Sequence, residues 1–127
     1  MLVCVSSEEM REPTFLLLSA LADGRQHGYS LLRAVATLSR GRVRLRPGSL
    51  YGALDRLVRE GLVEEAGTEV VDGRHRRYYD LTEAGVQALT GHAQRLQDNA
   101  SVATAALRRR ATRPGQGRAV GVAGGRA

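Results

Sequence analysis

Two stretches hold the residues whose types and spacing could do chemistry. The first is RPGSLYGALDRLVREG, Arg46 to Gly61, and the second is GRHRRYYDLTEAG, Gly73 to Gly85. At 100° per residue, Leu50, Leu54, Leu57 and Val58 fall on one side of a helix. Ser49, Gly52, Asp55, Arg56 and Arg59 fall opposite, with Tyr51 on the flank. A hydroxyl and free backbone amides at a helix start suit an anion. A guanidinium at Arg56 could fork onto a guanine edge, or it could pair instead with Asp55 or Glu60. The second stretch sets Arg74, His75, Arg76 and Arg77 on a tight turn and strand. Basic hairpin residues of this kind hold phosphate and fix register; the alternative is a charged edge strand that resists aggregation. The chemistry expected of both stretches is recognition of a polyanion.

Signs of other chemistry are absent from the sequence. Cys4, His27, His75 and His92 do not have metal-ligand spacing. There is no phosphate-cradling glycine loop, no nucleophile elbow and no pair of carboxylates placed for acid–base work. The expectation is a protein that is not an enzyme and carries no cofactor and no metal. Cys4 stands alone, so no intrachain disulfide can form and a reducing cytoplasmic setting fits. A redox role for Cys4 and an inert thiol on a frayed arm are the two readings of that residue.

The chain has 127 residues, a length suited to one domain. Hydrophobic residues make up 43% and aromatics only 4%, so a core must be built mainly from Leu, Val and Ala. All 19 basic residues are Arg, and the net charge is +6. The isoelectric point near 10.6 is the footprint of a nucleic-acid binder. No segment reads as a signal peptide, and the longest apolar run, Phe15 to Ala22, is too short to span a bilayer.

These residues need elements to position them. Residues 1–10 read as a flexible arm. Pro13 suits the first turn of a helix, and the following run to Ala22, apolar all round, predicts a buried helix ending near Asp23 and Gly24. A second helix is expected from about His27–Gly28, with Leu31, Leu32, Val35 and Leu38 on one face and Gly41 as its stop. Arg40, Arg42, Arg44 and Arg46 then alternate with Val43 and Leu45, so an extended backbone sends arginines one way and apolar side chains the other. These arginines could add phosphate contacts or simply be solvated. Pro47 starts the third helix and Gly61 ends it.

Leu62 to Val71 and Arg74 to Leu81 read as strands joined by Asp72–Gly73. A two-residue loop sets Glu69 opposite Arg76. Tyr79 is expected in the core, and Tyr78 toward a bound backbone. Thr82 is an N-cap for a fourth helix. Along that helix Val86, Leu89, Ala93, Leu96, Ala100, Ala103 and Leu107 recur at spacings of three and four, a heptad seam that needs a partner, here a second copy of the chain. The Gly-rich remainder reads as disordered.

The expected fold is mainly α with a small β-hairpin: a winged helix-turn-helix with a long C-terminal dimerisation helix. Its parts are an arm at 1–10, a DNA-binding domain at 11–81, the dimerisation helix at 82–112 and a disordered Gly/Arg tail at 113–127.

The segments HGYSLL at His27, GSLYGALDRLVREGLV at Gly48 and GRHRRYYDLTEAG at Gly73 resemble the signature blocks of the PadR-type bacterial transcriptional regulators. The likeness runs from about Glu12 to Leu96. It implies a dimeric, repressor-like protein on a palindromic operator, with the first and last helices building the dimer. Phe15 and Leu17 thereby join the seam as expected dimer contacts. The family often has Pro after its Leu–Tyr pair, where this chain has Gly52. Some members bind flat phenolic or hydrophobic ligands through aromatics near the dimer interface, whereas the fourth helix here is Ala-rich and has none.

The residues expected to meet double-stranded DNA are Ser49, Tyr51, Gly52, Asp55 and Arg56 on the third helix, and Arg74, Arg76, Arg77 and Tyr78 on the wing. His27 and Tyr29 are expected to be structural, with Tyr29 packed beneath the third helix. A small-molecule effector is a possible partner whose identity the residues do not name, and a membrane is not an expected partner. The competing reading is a winged-helix protein-interaction module whose last helix pairs with a different chain.

Overall fold

A computed structural model gives the fold, and residues 10–114 are described. The elements are α1 (Glu12–Ala22), β1 (Gln26–His27), α2 (Gly28–Leu38), α3 (Pro47–Arg59), β2 (Val63–Val71), β3 (Arg74–Leu81) and α4 (Glu83–Thr112). They belong to two compact units, one ending at His92 and the other beginning at Ala93. The arm at 1–10, apart from Met10, and the tail beyond Pro114 lie outside the described residues, as does Cys4. Met10 packs against the core.

In the first unit, Leu17, Leu18 and Leu21 of α1 meet Leu31 and Val35 of α2, Leu50, Leu54 and Leu57 of α3, and Val63 and Tyr79 of the sheet. All are buried, and full burial of each such side chain stabilises the fold by roughly 1.5–3 kcal/mol. Leu17 has 0% of its surface exposed. Leu17 therefore has no surface to offer a second chain, which corrects its assignment as a dimer contact. Phe15 is half-buried, its ring 5.3 Å from that of His92 on α4.

Helix ends follow their residues. Pro13 and Pro47 sit in first turns. Gly61 takes φ 80° after α3, and Leu62 N–H bonds back to Leu57 O at 3.0 Å, with Gly61 N–H to Val58 O at 3.0 Å. That is a Schellman stop. Helix α2 ends in the same motif at Leu38, before the expected Gly41. Arg40 occupies the left-handed position with φ 56°, and Gly41 N–H reaches Ala36 O at 2.8 Å. Thr82 Oγ1 accepts the Gly85 N–H at 3.0 Å and donates to Gly61 O at 2.6 Å. The start of α4 is thus tied to the end of α3.

The sheet has three strands in the order β1-β3-β2, all antiparallel, where the sequence predicted only a hairpin. Asp72 and Gly73, both at positive φ, make the two-residue turn, and Glu69 does pair with Arg76. The pairing shifts between Glu65 and Thr68. This bulge was not foreseen, and Gly67 within it takes φ 114°.

Candidate nucleic-acid interface

On the apolar side of α3, Leu50, Leu54 and Leu57 are buried and Val58 packs partly buried against the core, which leaves the other side bare. Ser49, Tyr51, Gly52, Asp55 and Arg59 are exposed. The helix start carries no side-chain cap bond, so its first free amides face solvent beside Gly48 and Ser49. An added methyl at Gly48 or Gly52 would meet nothing within 4 Å. The chain's own packing therefore does not require either glycine.

Tyr51 leans across to the start of α2. A methyl added at Gly28 would overlap its hydroxyl and lie 2.7 Å from its Cζ. Gly28 is thus the bare spot that receives the hydroxyl end of Tyr51. His27 caps α2, its Nδ1 accepting the Ser30 N–H at 3.3 Å. Burial first, and then the Arg76 charge, lower the His27 pKa below its ordinary 6.5. Both effects favour the neutral imidazole that the cap needs.

Arg56 takes the alternative that the sequence left open. Its guanidinium lies 3.8 Å from the Glu60 carboxylate and donates to Thr14 Oγ1 of α1 at 3.2 Å. It is turned to the flank. The sequence places Arg59 on the outward stripe with Gly52 and Asp55, yet it was not among the expected DNA contacts. Arg59 has no ion pair among the described residues.

On the wing, Arg74, His75 and Arg76 are exposed. Arg77 is exposed too; it shares the strand face of His75, opposite Arg74 and Arg76, and lies 3.9 Å from Glu65. Tyr78 does not point freely outward. Its hydroxyl donates to Glu69 at 2.6 Å, Arg25 stacks 4.3 Å above its ring, and His27 meets its edge at 5.5 Å. Arg25 also donates to Ala66 O in the bulge at 2.6 Å. Tyr78 and Arg25 therefore prop the wing. Tyr79 is buried, as expected, and its hydroxyl has no hydrogen-bond partner among the described residues. Burial raises its pKa, opposed by Arg77.

Tyr29 corrects another expectation. It is 64% exposed, with Arg33 stacked on its ring at 5.7 Å, and it does not lie beneath α3. Gly85, the last residue of the third block, sits against the Leu62 backbone. An added methyl there would overlap the Leu62 carbonyl oxygen and lie 3.2 Å from Leu81 Cδ2.

Among the described residues, no cluster of His, Cys, Asp or Glu could hold a metal ion, and no helix is long and apolar enough to cross a membrane.

Residues 17–91 match the transcriptional regulator PadR-like family. The chain belongs to that family. A PadR family transcription regulator from hypervirulent Clostridium difficile superposes with a TM-score of 0.64 at 24% identity, covering 76% of this chain and 99% of the other. Bacillus subtilis PadR, solved in complex with operator DNA, superposes with a TM-score of 0.54 at 22% identity, covering 61% and 44%. Both share the PadR-like fold. An uncharacterized 37.1 kDa protein in transposon TN4556 of Streptomyces fradiae is 51% identical over 57 residues, which is 42% of this chain but only 16% of that relative.

The second unit is the rest of α4. Leu96, Val102 and Leu107 are 44%, 68% and 65% exposed, and Ala100 and Ala103 are exposed as well. Earlier on the same helix Val86 is exposed, whereas Leu89 packs on the first unit's core.

Proposed function

We propose that this PadR-like regulator binds DNA as a homodimer and represses transcription from a palindromic operator. The observation that carries the reading is the bare face of α3, whose opposite side buries Leu50, Leu54 and Leu57, in a chain that also exposes a basic turn at Arg74 and Arg76. Ser49, Tyr51, Gly52 and Asp55 enter the major groove, Ser49 and Asp55 meeting base edges; a carboxylate there accepts from cytosine N4. Arg59, Arg74 and Arg76 hold phosphates. Arg77 and Tyr78 shape the wing, and Arg56 ties α3 to α1. Two such faces in a symmetric dimer address successive major grooves about 34 Å apart.

The pairing surface is the seam of Val86, Ala93, Leu96, Ala100, Ala103 and Leu107, together with Phe15, whose ring meets His92 of the same helix. Alanines in two of its turns allow two backbones to approach closely. The operator complex of the Bacillus subtilis relative supports DNA as the partner. A small-molecule effector would act by changing the angle between the two reading heads.

Selection of bound duplexes from random DNA, with and without metabolite fractions, tests the reading. The expected product is an inverted repeat. Recovery of no common sequence, from a protein that stays monomeric, counts against it.

A further inference from the structure

The segment between α2 and α3 has a feature that the helix–wing pair does not use. Arg40, Arg42, Arg44 and Arg46 are all exposed, while Val43 and Leu45 turn inward and pack on the core. Buried Ser39 pins the start of the segment. Its Oγ accepts the Val43 N–H at 2.9 Å and lies 3.2 Å from both Ala36 O and Val43 O. The backbone is thus held in place before any ligand arrives, and less ordering entropy opposes binding.

The four arginines differ in their partners. Arg42 pairs with Glu12 at 2.9 Å. Arg40, Arg44 and Arg46 have no ion pair or side-chain hydrogen bond among the described residues. Arg40 also occupies a left-handed backbone position, φ 56°, where glycine would cost less by about 1 kcal/mol. Arg46 is extended, φ −88° and ψ 155°, and leads straight into the uncapped first turn of α3. Arg44 and Arg46 stand two positions apart beyond the turn at Arg40 and Gly41; alternate side chains of extended backbone repeat at about 6.6 Å, close to the separation of successive phosphates on one strand.

We propose that Arg40, Arg44 and Arg46 form a second phosphate-binding strip, which grips the DNA backbone at the N-terminal end of α3. The strip rests on the DNA-binding reading above and adds a site to it. The wing follows α3 in the chain and the strip precedes it, so basic segments flank the reading helix on both sides in sequence. The contribution is to affinity without choice of sequence. Glu12 masks Arg42, and removing that carboxylate frees a fourth charge.

The test uses the full chain and labelled duplexes, one carrying the selected operator and one of unrelated sequence, titrated from 50 to 200 mM KCl. Each phosphate contact contributes about 0.9 to the log–log salt slope. The triple variant R40Q/R44Q/R46Q should flatten the operator slope by about 2 to 3 and weaken both duplexes by the same factor, with its melting temperature unchanged. Glu12→Gln should steepen the slope by up to about 1. An unchanged slope in a folded triple variant overturns the strip while leaving α3 and the wing intact. So does a loss confined to the operator, because that would mean base reading. A wild-type chain that binds neither duplex removes the DNA-binding reading, and the strip with it.

Discussion

Gly52 separates folding from binding at a single residue. It sits inside α3 with open space where a side chain would go, so the fold has no use for it. Gly52→Ala should therefore raise stability by about 1 kcal/mol. If the residue lies against a DNA groove, the same methyl should weaken operator binding by about tenfold or more. Thermal melting and fluorescence anisotropy on one variant read both effects, and unchanged affinity would remove Gly52 from the interface.

The two arginines of α3 divide in the same way. Arg59→Ala should flatten the salt slope by about 0.9 at unchanged stability. Arg56→Ala should lower stability by about 1 kcal/mol and leave the slope alone. The reverse outcome would show that Arg56 leaves Glu60 and Thr14 for DNA. The burial of Leu50, Leu54 and Leu57 was legible in the sequence because helical periodicity is local. The partner of Arg56 was not: Thr14 lies 42 positions away, and no local pattern encodes a meeting of that range. Tyr29 was misplaced for a related reason, since one aromatic on a helix does not say which neighbour covers it.

Among the elements, the three sequence blocks touch one another pairwise. Gly28 receives Tyr51, His27 meets Tyr78, and Gly85 receives the Leu62 backbone. These contacts give a physical reason for glycine at two of those positions. Gly85→Ala should overpack the junction of α3, β3 and α4 and cost about 3 kcal/mol, a fall of about 10 °C or more in melting temperature. A melting temperature equal to or above the wild type would contradict that close approach.

The cap of α2 should titrate. Because the folded His27 pKa lies below 6.5, the neutral cap contributes stability above the unfolded value, and this is lost as pH falls through the lowered one. Melting at pH 7 and pH 5 should show a larger acid loss in the wild type than in His27→Asn, which caps without titrating; equal losses would exclude the cap as the cause. Helix starts, the Asp72–Gly73 turn and the Glu69–Arg76 register were legible because each is set by short-range chemistry. Strand β1 was not, because two residues cannot display a period. The bulge at Ala66–Gly67 also escaped, being held partly by Arg25 from outside the hairpin.

At the scale of the whole molecule, the proposed reader of a duplex is a dimer that combines a bare α3, two basic segments and a seam. In the proposed dimer, the exposed Leu96 and Leu107 would supply the apolar contact. The charge of +6 supplies long-range attraction to DNA but no choice of sequence. Hydroxyl-radical footprinting of the selected duplex bound by the full chain tests the central claim most directly. The account predicts two protected segments related by a dyad, centred one helical turn apart, and both lost together in a Leu96→Asp/Leu107→Asp variant. Uniform cleavage along every duplex, or a lone protected segment under a monomer, would contradict it.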